Sequence, residues 1–477
     1  MLKQLISIAV MCLLISCGGG VNSSTAPDTE LPGTRETGDS ILDITPQPPI
    51  DPHWTPTGVF TNAAGCGNCH KASSDGSGVM RLPSTAAGED ISPWAGWEHS
   101  IMAQAWADPY FQAVVEDQSE EFPDFAGDIQ DKCLSCHSPM AHSNAHDTGL
   151  GLSTAACPLN GECYTFETSQ QQDHAREGVS CTLCHQMVSD ETVEPGSGNY
   201  LVPAEDEPGA WLIKGPFENP IVKPMAMNTP YSVAHSDYLS SSEHCASCHE
   251  LNTPAFDVNT GYPAEPALEF REQATYSEWR NSNYADGASQ ERSCQGCHMA
   301  SPDDYETAIA LMYSGFPNPN WPQRSPFATH ANAGGNTYVL GLLKTWREEL
   351  GIASSTTEEG FDQAIAQGRA ILAQAAAIAV TSQGIESGQL QLAVRITNKS
   401  GHKLPTGYPS RRMWLQLTVK DAAGKRVFES GKPDEQGYLA VDSRYTSPAC
   451  LKNAKSDDFV NEACFEPHRD QISRQDQ

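Results

Sequence analysis

The chain has 477 residues, of which 29 are basic and 60 are acidic, so its formal net charge is −31 at pH 7. A charge this negative repels phosphate backbones and anionic lipid surfaces, which excludes nucleic acid as a partner. Hydrophobic residues make up 39% and aromatic residues 8% of the chain, which is lean for the two to four domains that this length predicts. We therefore expect something other than apolar side chains to fill part of the interior.

The N-terminal segment has the features of an export signal. Lys3 precedes an apolar run at 5–15 that is too short to span a membrane, so residues 1–16 predict a signal peptide. The next residues read Ser16-Cys17-Gly-Gly-Gly, which resembles a bacterial lipobox. The resemblance implies lipidation of Cys17 and a cell-envelope lipoprotein, sorted to the outer membrane and facing the periplasm or the outside. Ordinary cleavage with an incidental Cys17 is the alternative.

Residues 17–55 predict a lipidated N-terminus followed by a disordered tether. They are rich in Ser, Thr, Pro, Gly and acidic residues, and a cluster of prolines near their end blocks regular structure. No other apolar run reaches membrane-spanning length. We therefore expect contact with the membrane only through the lipid anchor.

The region 56–350 contains the pattern Cys-x-x-Cys-His five times. It is typical of c-type haem attachment, in which two thiols bond to the haem and the next residue, His, binds the iron. A zinc site or a redox dithiol is the alternative, but neither requires His after the second Cys each time, and His is only 15 of 477 residues. The sequence therefore predicts five covalently attached haem c groups. The attachment residues are Cys66, Cys69, Cys133, Cys136, Cys181, Cys184, Cys245, Cys248, Cys294 and Cys297, and the proximal iron ligands are His70, His137, His185, His249 and His298.

Close spacing of the five motifs also predicts the fold class of this region. Neighbouring haems are expected within contact distance, and each ring supplies apolar bulk to the interior. Helical patterns are limited to 100–117, 268–283 and 337–350, and Gly and Pro are frequent between them. We expect a pentahaem domain that is mostly α-helix and loop, in which contacting redox centres conduct electrons.

The second axial position of each haem determines whether it only transfers electrons or also binds a substrate. A distal His would give a low-spin, electron-transfer haem. For each remaining histidine a surface position is the alternative. The candidates from the sequence are His142, His174, His235, His330 and His402.

Two stretches of the chain resemble each other, and one of them resembles a known family. Residues 97–103 and 279–285 both read Trp-x-x-Ser-x-Φ-Ala, and the second precedes a Cys-x-x-Cys-His-Met motif. This arrangement resembles the multihaem cytochromes of the cytochrome c-554 and hydroxylamine oxidoreductase superfamily, over about residues 60–345. The resemblance implies a distal ligand before the alanine, where relatives have His and this chain has Met102 and Tyr284. His99 is a rival to Met102, and the alternative is that both side chains only pack against rings.

The C-terminal region 358–477 predicts a different fold. An Ala-rich helix at 361–378 precedes alternating segments at 390–397, 413–419 and 427–430, which are typical of an all-β, sandwich-like module. These strands are too few for a complete sandwich, so we expect the chain to be a truncated reading of a longer protein.

Four cysteines remain outside the motifs and the N-terminal segment. Their short separations predict two disulfides in an oxidising compartment, and free thiols are the alternative. The predicted pairs are Cys157 with Cys163 and Cys450 with Cys464.

Two functions follow from these features. The favoured one is a pentahaem electron carrier between donor and acceptor cytochromes of the cell envelope, with no catalytic residues of its own. The alternative is an oxidoreductase that acts on small nitrogen or sulfur species at an open haem, as in superfamily relatives. A third possibility is a binding role for the β-module, which the haems would serve.

Overall fold

The computed structural model of the chain describes residues 7–15, 46–146, 163–203, 211–254, 269–387, 389–409 and 411–432. The chain divides into two units, one formed by 36–377 and 396–411, and the other by 1–35, 378–395 and 412–477. Cys17, Cys157, Cys450 and Cys464 lie outside the described residues, so their lipidation and pairing stay predictions. Cys163 is disulfide-bonded.

The larger unit is built mainly from short helices joined by turns. Two short 3₁₀-helices, Pro123–Phe125 and Asp237–Ser240, supplement them. The α-helices of the described residues are α1 (Ala63–Gly67), α2 (Pro93–Glu98), α3 (Pro109–Glu121), α4 (Ala126–His137), α5 (Pro139–His146), α6 (Phe166–Gln170), α7 (Asp173–Arg176), α8 (Cys181–Cys184), α9 (Val222–Asn228), α10 (Ser242–His249), α11 (Thr275–Arg280), α12 (Cys294–His298), α13 (Thr337–Thr345) and α14 (Glu358–Ala375).

The strands form small sheets. The strands of the described residues are β1 (Ser7–Ile15), β2 (Arg81–Leu82), β3 (Glu89–Asp90), β4 (Trp211–Gly215), β5 (Tyr231–His235), β6 (Leu251–Pro254), β7 (Glu269–Gln273), β8 (Ala376–Glu386), β9 (Gln389–Asn398), β10 (Arg412–Lys420) and β11 (Arg426–Ser430). A three-stranded antiparallel sheet has the order β1-β10-β11, the pair β4-β5 is parallel, and β2-β3, β6-β7 and β8-β9 are further pairs.

The three predicted C-terminal strands are confirmed as β9, β10 and β11, while the sandwich stays a prediction. The N-terminal apolar run forms β1, which pairs with β10 from Ser7 opposite Lys420 to Ile15 opposite Arg412. A nine-residue segment in which every residue but Ser7 is apolar suits a strand as well as the core of an export signal. The signal peptide therefore also stays a prediction.

The helices differ from the sequence prediction in their bounds. The helix expected at 100–117 starts only at Pro109, because the side chain of Asp108 accepts hydrogen bonds from the first-turn amides of α3. The segment 268–283 contains β7 before α11. The Ala-rich helix ends at Ala375, where β-branched residues begin to alternate in β8.

The buried apolar residues of the larger unit form separate small clusters. One contains Trp106 and Leu134, the second contains Phe60 and Leu183, and the third contains Leu311. Leu134 and Leu183 are interior residues of two Cys-x-x-Cys-His motifs and are almost fully buried. The apolar core is therefore assembled around the motifs.

A buried carboxylate connects three distant segments of this unit. Glu177 Oε1 accepts the backbone N–H of Ala63 at 3.0 Å and the hydroxyl of Ser180, and Oε2 accepts the indole N–H of Trp54 at 2.6 Å. Ala63 begins α1 and Ser180 precedes α8, so Glu177 joins the first and third motifs. Burial raises the pKa of Glu177 to about 7, whereas the three hydrogen bonds favour its ionised form.

We predict that Glu177→Ala destabilises the protein by about 2–4 kcal/mol, because three buried donors lose their acceptor at once. Denaturant unfolding followed by circular dichroism measures the change. Glu116→Ala, at an exposed position of α3, is the control and should stay within about 0.5 kcal/mol of the wild type. Equal stability of the two variants would contradict this role for Glu177.

The carboxyl group of Glu98 is also largely shielded from solvent, but it accepts fewer hydrogen bonds than that of Glu177. It ends α2 in a pocket lined by Trp94, Trp97 and Ile352, and its Oε2 has no hydrogen-bond partner among the described residues. Burial raises the pKa of Glu98 to about 7, and a hydrogen bond from Ser355 only partly opposes this shift. The neutral form of Glu98 is therefore the one that the folded protein favours.

The pKa of Glu98 is higher in the folded state than in the unfolded state, so protonated Glu98 stabilises the folded protein. This contribution to the free energy of unfolding is complete below the ordinary glutamate pKa and is lost as the pH rises through 7. Between pH 5 and pH 8, we predict that the wild type loses about 1–3 kcal/mol more unfolding free energy than Glu98→Gln does. Urea titrations of both proteins at the two pH values measure this difference. Parallel pH profiles would show that Glu98 is ionised in the folded state.

Candidate functional site

The five Cys-x-x-Cys-His motifs are numbered 1 to 5 along the chain. Motifs 2 and 4 form the C-terminal ends of α4 and α10, motif 5 forms the whole of α12, and motifs 1 and 3 lie in α1 and α8 and the turns after them. One helical turn brings the two cysteines and the histidine of a motif to the same side of the backbone. All ten cysteines carry free thiols, so both attachment atoms are available in every motif.

The proximal histidines of four motifs share one hydrogen-bond pattern. The Nδ1–H group of each donates to a backbone carbonyl from a distant segment, which leaves the Nε2 lone pair free to bind a metal. Burial lowers the pKa of His70, His137 and His185, so their neutral, ligand-competent form is favoured. The pairs are His70 with Ile309 at 2.8 Å, His137 with Ala105 at 2.8 Å, His185 with Lys214 at 2.6 Å, and His298 with Ala333 at 2.6 Å.

Two of the predicted distal histidines lie opposite proximal ones. The ring centroids of His185 and His330 are 6.2 Å apart with planes at 16°, and those of His298 and His402 are 6.4 Å apart at 15°. Two imidazoles that bind one metal from opposite sides, with bonds of about 2.0–2.1 Å, have centroids roughly 6 Å apart. The spacing of both pairs therefore suits a shared iron.

His330 is held by the loop between motif 5 and α13. Its Nδ1 donates to the Ala328 carbonyl at 2.8 Å, which again leaves Nε2 free. The backbone φ of His330 is 53°, and that of Asn332 is 45°, so two non-glycine residues occupy the left-handed region. Such strain is concentrated at functional sites. The same loop meets motif 5, because Ala333 exchanges two hydrogen bonds with His298.

His402 is held by a loop that is anchored on α11. Its Nδ1 donates to the Lys403 carbonyl at 2.8 Å. Glu278 Oε2 accepts the Lys403 backbone N–H at 3.0 Å and the Thr406 hydroxyl at 2.6 Å. Tyr284, which follows α11, packs against Gly401. Tyr284 therefore supports the loop that contains His402. The family resemblance implied an iron ligand at position 284, and in this structure the residue there contacts the neighbour of His402 instead.

The two Trp-x-x-Ser copies make equivalent contacts. The indole N–H of Trp97 donates to the Val179 carbonyl at 2.8 Å, and that of Trp279 donates to the Arg292 carbonyl at 3.0 Å. Each acceptor lies two residues before the first cysteine of a motif, motif 3 in one case and motif 5 in the other. These are also the two motifs with a facing imidazole. Met102, in the first copy, is partly buried against the cluster that contains Leu183.

The thiols of different motifs are close together. Interaction with a thiol of another motif raises the pKa of three cysteines: Cys66 acts on Cys181, Cys136 on Cys248, and Cys294 on Cys245. Motif 1 therefore lies beside motif 3, and motif 4 lies beside both motif 2 and motif 5.

The remaining predicted distal residues have other partners. His99 accepts the Thr357 backbone N–H on Nε2 and hydrogen-bonds to the Ala95 backbone, so it has no free ligand atom in this structure. His235 pairs with Asp237 at 3.3 Å, and His174 packs against Trp54. His142 directs Nε2 at a carboxylate and not at a proximal histidine.

One buried histidine was missed as a candidate from the sequence. His244 directly precedes Cys245, and its Nδ1 is buried without a hydrogen-bond partner among the described residues. Burial lowers the pKa of His244 to about 4, and the charge of His185 adds to this effect. The sequence offered only the position of His244, next to the first cysteine of motif 4, as a sign of a functional role. The Cys-x-x-Cys-His pattern itself begins one residue later and does not include it.

Comparison with known proteins identifies one matching family. The family described as cytochrome c554 and c-prime matches residues 244–313, a stretch that contains motifs 4 and 5 and the second Trp-x-x-Ser copy. No curated protein and no solved structure gives a significant match. At motifs 1, 2, 3 and 5, paired free thiols and a histidine whose Nδ1 is hydrogen-bonded and whose Nε2 is free fit covalent haem. The match supports a c-type cytochrome that binds haem c and iron, and that exchanges electrons with redox partners.

Proposed function

We propose that the protein is a pentahaem c-type cytochrome that carries electrons through a set of close haems in the cell envelope. The observation that carries this proposal is the contact between thiols of different motifs. Thiols that interact in this way lie near one another, so haems attached to them would also lie close together. Haem supplies reversible one-electron exchange when it is bound, and close centres suit exchange between them.

The order of the attachment sites is not the order of the motifs in the sequence. Motif 4 contacts motif 2 through Cys248 and motif 5 through Cys245. Cys184 of motif 3 influences the pKa of both Cys245 and Cys248, and motif 3 contacts motif 1. The five motifs thus form one connected set, and motif 4 is the branch point. A carrier with this arrangement has three ends at which redox partners can dock.

The axial ligands at motifs 3 and 5 are part of the proposal. His330 is the distal ligand opposite His185, and His402 is the distal ligand opposite His298. Burial lowers the pKa of His330 to about 4 and also lowers that of His402, so both imidazoles are neutral at pH 7. Two histidine ligands make these haems low-spin electron-transfer centres.

The location in the cell envelope rests on the sequence. The signal-like segment 1–16 and the lipobox-like sequence at Cys17 support an outer-membrane lipoprotein. Among the described residues, no helix is both long enough and apolar enough to cross a bilayer. The net charge of −31 favours donor and acceptor cytochromes with basic docking surfaces. Kinship with the hydroxylamine oxidoreductase superfamily also belongs to this proposal.

An oxidoreductase with an open haem is the second candidate function. Within the described parts of the chain, no imidazole ring lies opposite His70, His137 or His249 as it does opposite His185 and His298. An axial position without a strong ligand is where a small nitrogen or sulfur species binds iron.

Haem content and spin state test the proposal and separate the two candidates. We expect intact-mass spectrometry and pyridine haemochromogen absorbance to give five haems per chain. For a carrier, the oxidised protein should show low-spin electron paramagnetic resonance signals and no change on adding nitrite, hydroxylamine or carbon monoxide. Fewer than five haems would refute the pentahaem proposal. A stable high-spin fraction that binds these ligands would establish the oxidoreductase instead.

His402→Ala should convert the motif 5 haem from low-spin to high-spin, because its distal ligand is lost. The carbon monoxide bound by the reduced protein should rise by one molecule per chain relative to the wild type. His53→Ala, which removes an exposed histidine, is the matched control and should leave the spectrum unchanged. An unchanged spin state in His402→Ala would exclude His402 as a ligand without affecting the haem count.

Glu278→Ala should weaken ligation by His402 without removing it. The two hydrogen bonds that anchor the loop are lost, at a cost of about 1–3 kcal/mol. A high-spin fraction smaller than that of His402→Ala is expected, growing with temperature as the loop detaches. Glu269→Ala, at an exposed position of β7, serves as control. The high-spin fraction is measured at several temperatures from the relative absorbance of the high-spin and low-spin bands.

A further inference from the structure

Three side chains beside motif 2 converge without belonging to any Cys-x-x-Cys-His motif. Asp131 comes from α4, and His142 and His146 come from α5. The Nε2 atom of His142 lies 3.2 Å from Asp131 Oδ2, and that of His146 lies 2.8 Å from Asp131 Oδ1. One ligand atom from each residue lies within 4.8 Å of the others.

The local structure explains why these atoms meet. His142 and His146 are four residues apart on α5, so their rings share one face of the helix, with centroids 4.2 Å apart. Asp131 is fixed from a third segment, because its Oδ1 also accepts the Tyr164 backbone N–H at 2.8 Å. The three groups are therefore held in place by α4, α5 and the chain before α6.

The cluster is shielded from solvent. Asp131 is 3% exposed and His142 is 1% exposed. His142 Nδ1 has no hydrogen-bond partner among the described residues. Burying three polar side chains is costly unless each is satisfied. The ring of Tyr164 lies 6.1 Å from that of His142, but its hydroxyl donates to Gln172 Oε1 at 2.7 Å and not to that nitrogen.

We propose that Asp131, His142 and His146 bind one zinc ion. Two imidazole nitrogens and one carboxylate oxygen are the donor set that zinc accepts in proteins, with a fourth position left for water. Bonds of about 2.0–2.2 Å bring such donors to within roughly 3–3.5 Å of one another. The distances from Asp131 to the two rings are already close to this range. The proposed zinc site does not depend on how many haems the chain binds.

The protonation states of the cluster agree with metal binding. Burial acts to raise the pKa of Asp131, but hydrogen bonds from His142 and Tyr164 outweigh it and hold the pKa below its ordinary value. Burial lowers the pKa of His142. An ionised carboxylate beside a neutral imidazole is the state in which both act as ligands.

The competing arrangement is a hydrogen-bonded cluster without metal. In that case each histidine donates its Nε2–H to Asp131, and the carboxylate alone holds α5 against α4. Zinc would instead be held by the two Nε2 atoms, with the proton of each neutral ring moved to Nδ1, and would join the segments on either side of motif 2. The two arrangements therefore differ in bound metal and in the effect of zinc on stability.

The test uses the full chain with its haems attached, stripped of loosely bound metal with a chelator and then equilibrated with zinc sulfate. After gel filtration, plasma mass spectrometry should find one zinc per wild-type chain. His146→Ala and Asp131→Asn should lose this zinc, whereas His53→Ala should keep it. Zinc should raise the thermal unfolding midpoint of the wild type and of His53→Ala, but not that of the two cluster variants.

Three results would overturn the proposal. The first is a wild type without zinc after equilibration, and the second is equal zinc in the wild type and in both His146→Ala and His146→Gln. The third is a change in the low-spin signals on replacing His142, which would make His142 a haem ligand. If Asp131→Asn does not fold, the two His146 variants decide the question, because His146 lies at the more exposed edge of the cluster.

Discussion

The hydrogen bond from a proximal histidine to a remote backbone carbonyl is the interaction on which most of this structure depends. In motif 1 the acceptor is Ile309, and in motif 2 it is Ala105. In four of the motifs such a bond brings a distant segment of the chain onto the motif and also fixes the tautomer that leaves Nε2 free. The same Nδ1 proton thus positions the remote segment and leaves Nε2 unprotonated.

The second organising feature is the repeated docking of tryptophan. Trp97 and Trp279 bond to carbonyls two residues before motifs 3 and 5, so the two regions share a local architecture. The same motifs have a facing imidazole, but the loops that supply His330 and His402 are unrelated in sequence. The repeat therefore explains where the motif helices lie, and later segments of the chain supply the residues opposite them.

Buried polar groups join segments that a large apolar core would join in another protein. Glu177 links the start of α1 to the turn before α8, and Asp131 links α4, α5 and Tyr164. Each carboxylate accepts several hydrogen bonds, which makes its burial tolerable and its position specific. The strained backbone at His330 indicates that the surrounding contacts are strong enough to hold an unfavourable conformation.

The sequence by itself determined the candidate attachment residues, because both thiols and the proximal histidine lie within five consecutive residues on one helical turn. It also determined β9, β10 and β11, whose alternation is a local property. Only the tertiary structure decided which histidines face each other. His402 follows His298 at long range, and its approach depends on Glu278 and Tyr284, which no local pattern connects to it. For the same reason the sequence did not reveal that the Asp131 carboxylate meets the two histidines of α5, or that motif 4 lies among motifs 2, 3 and 5.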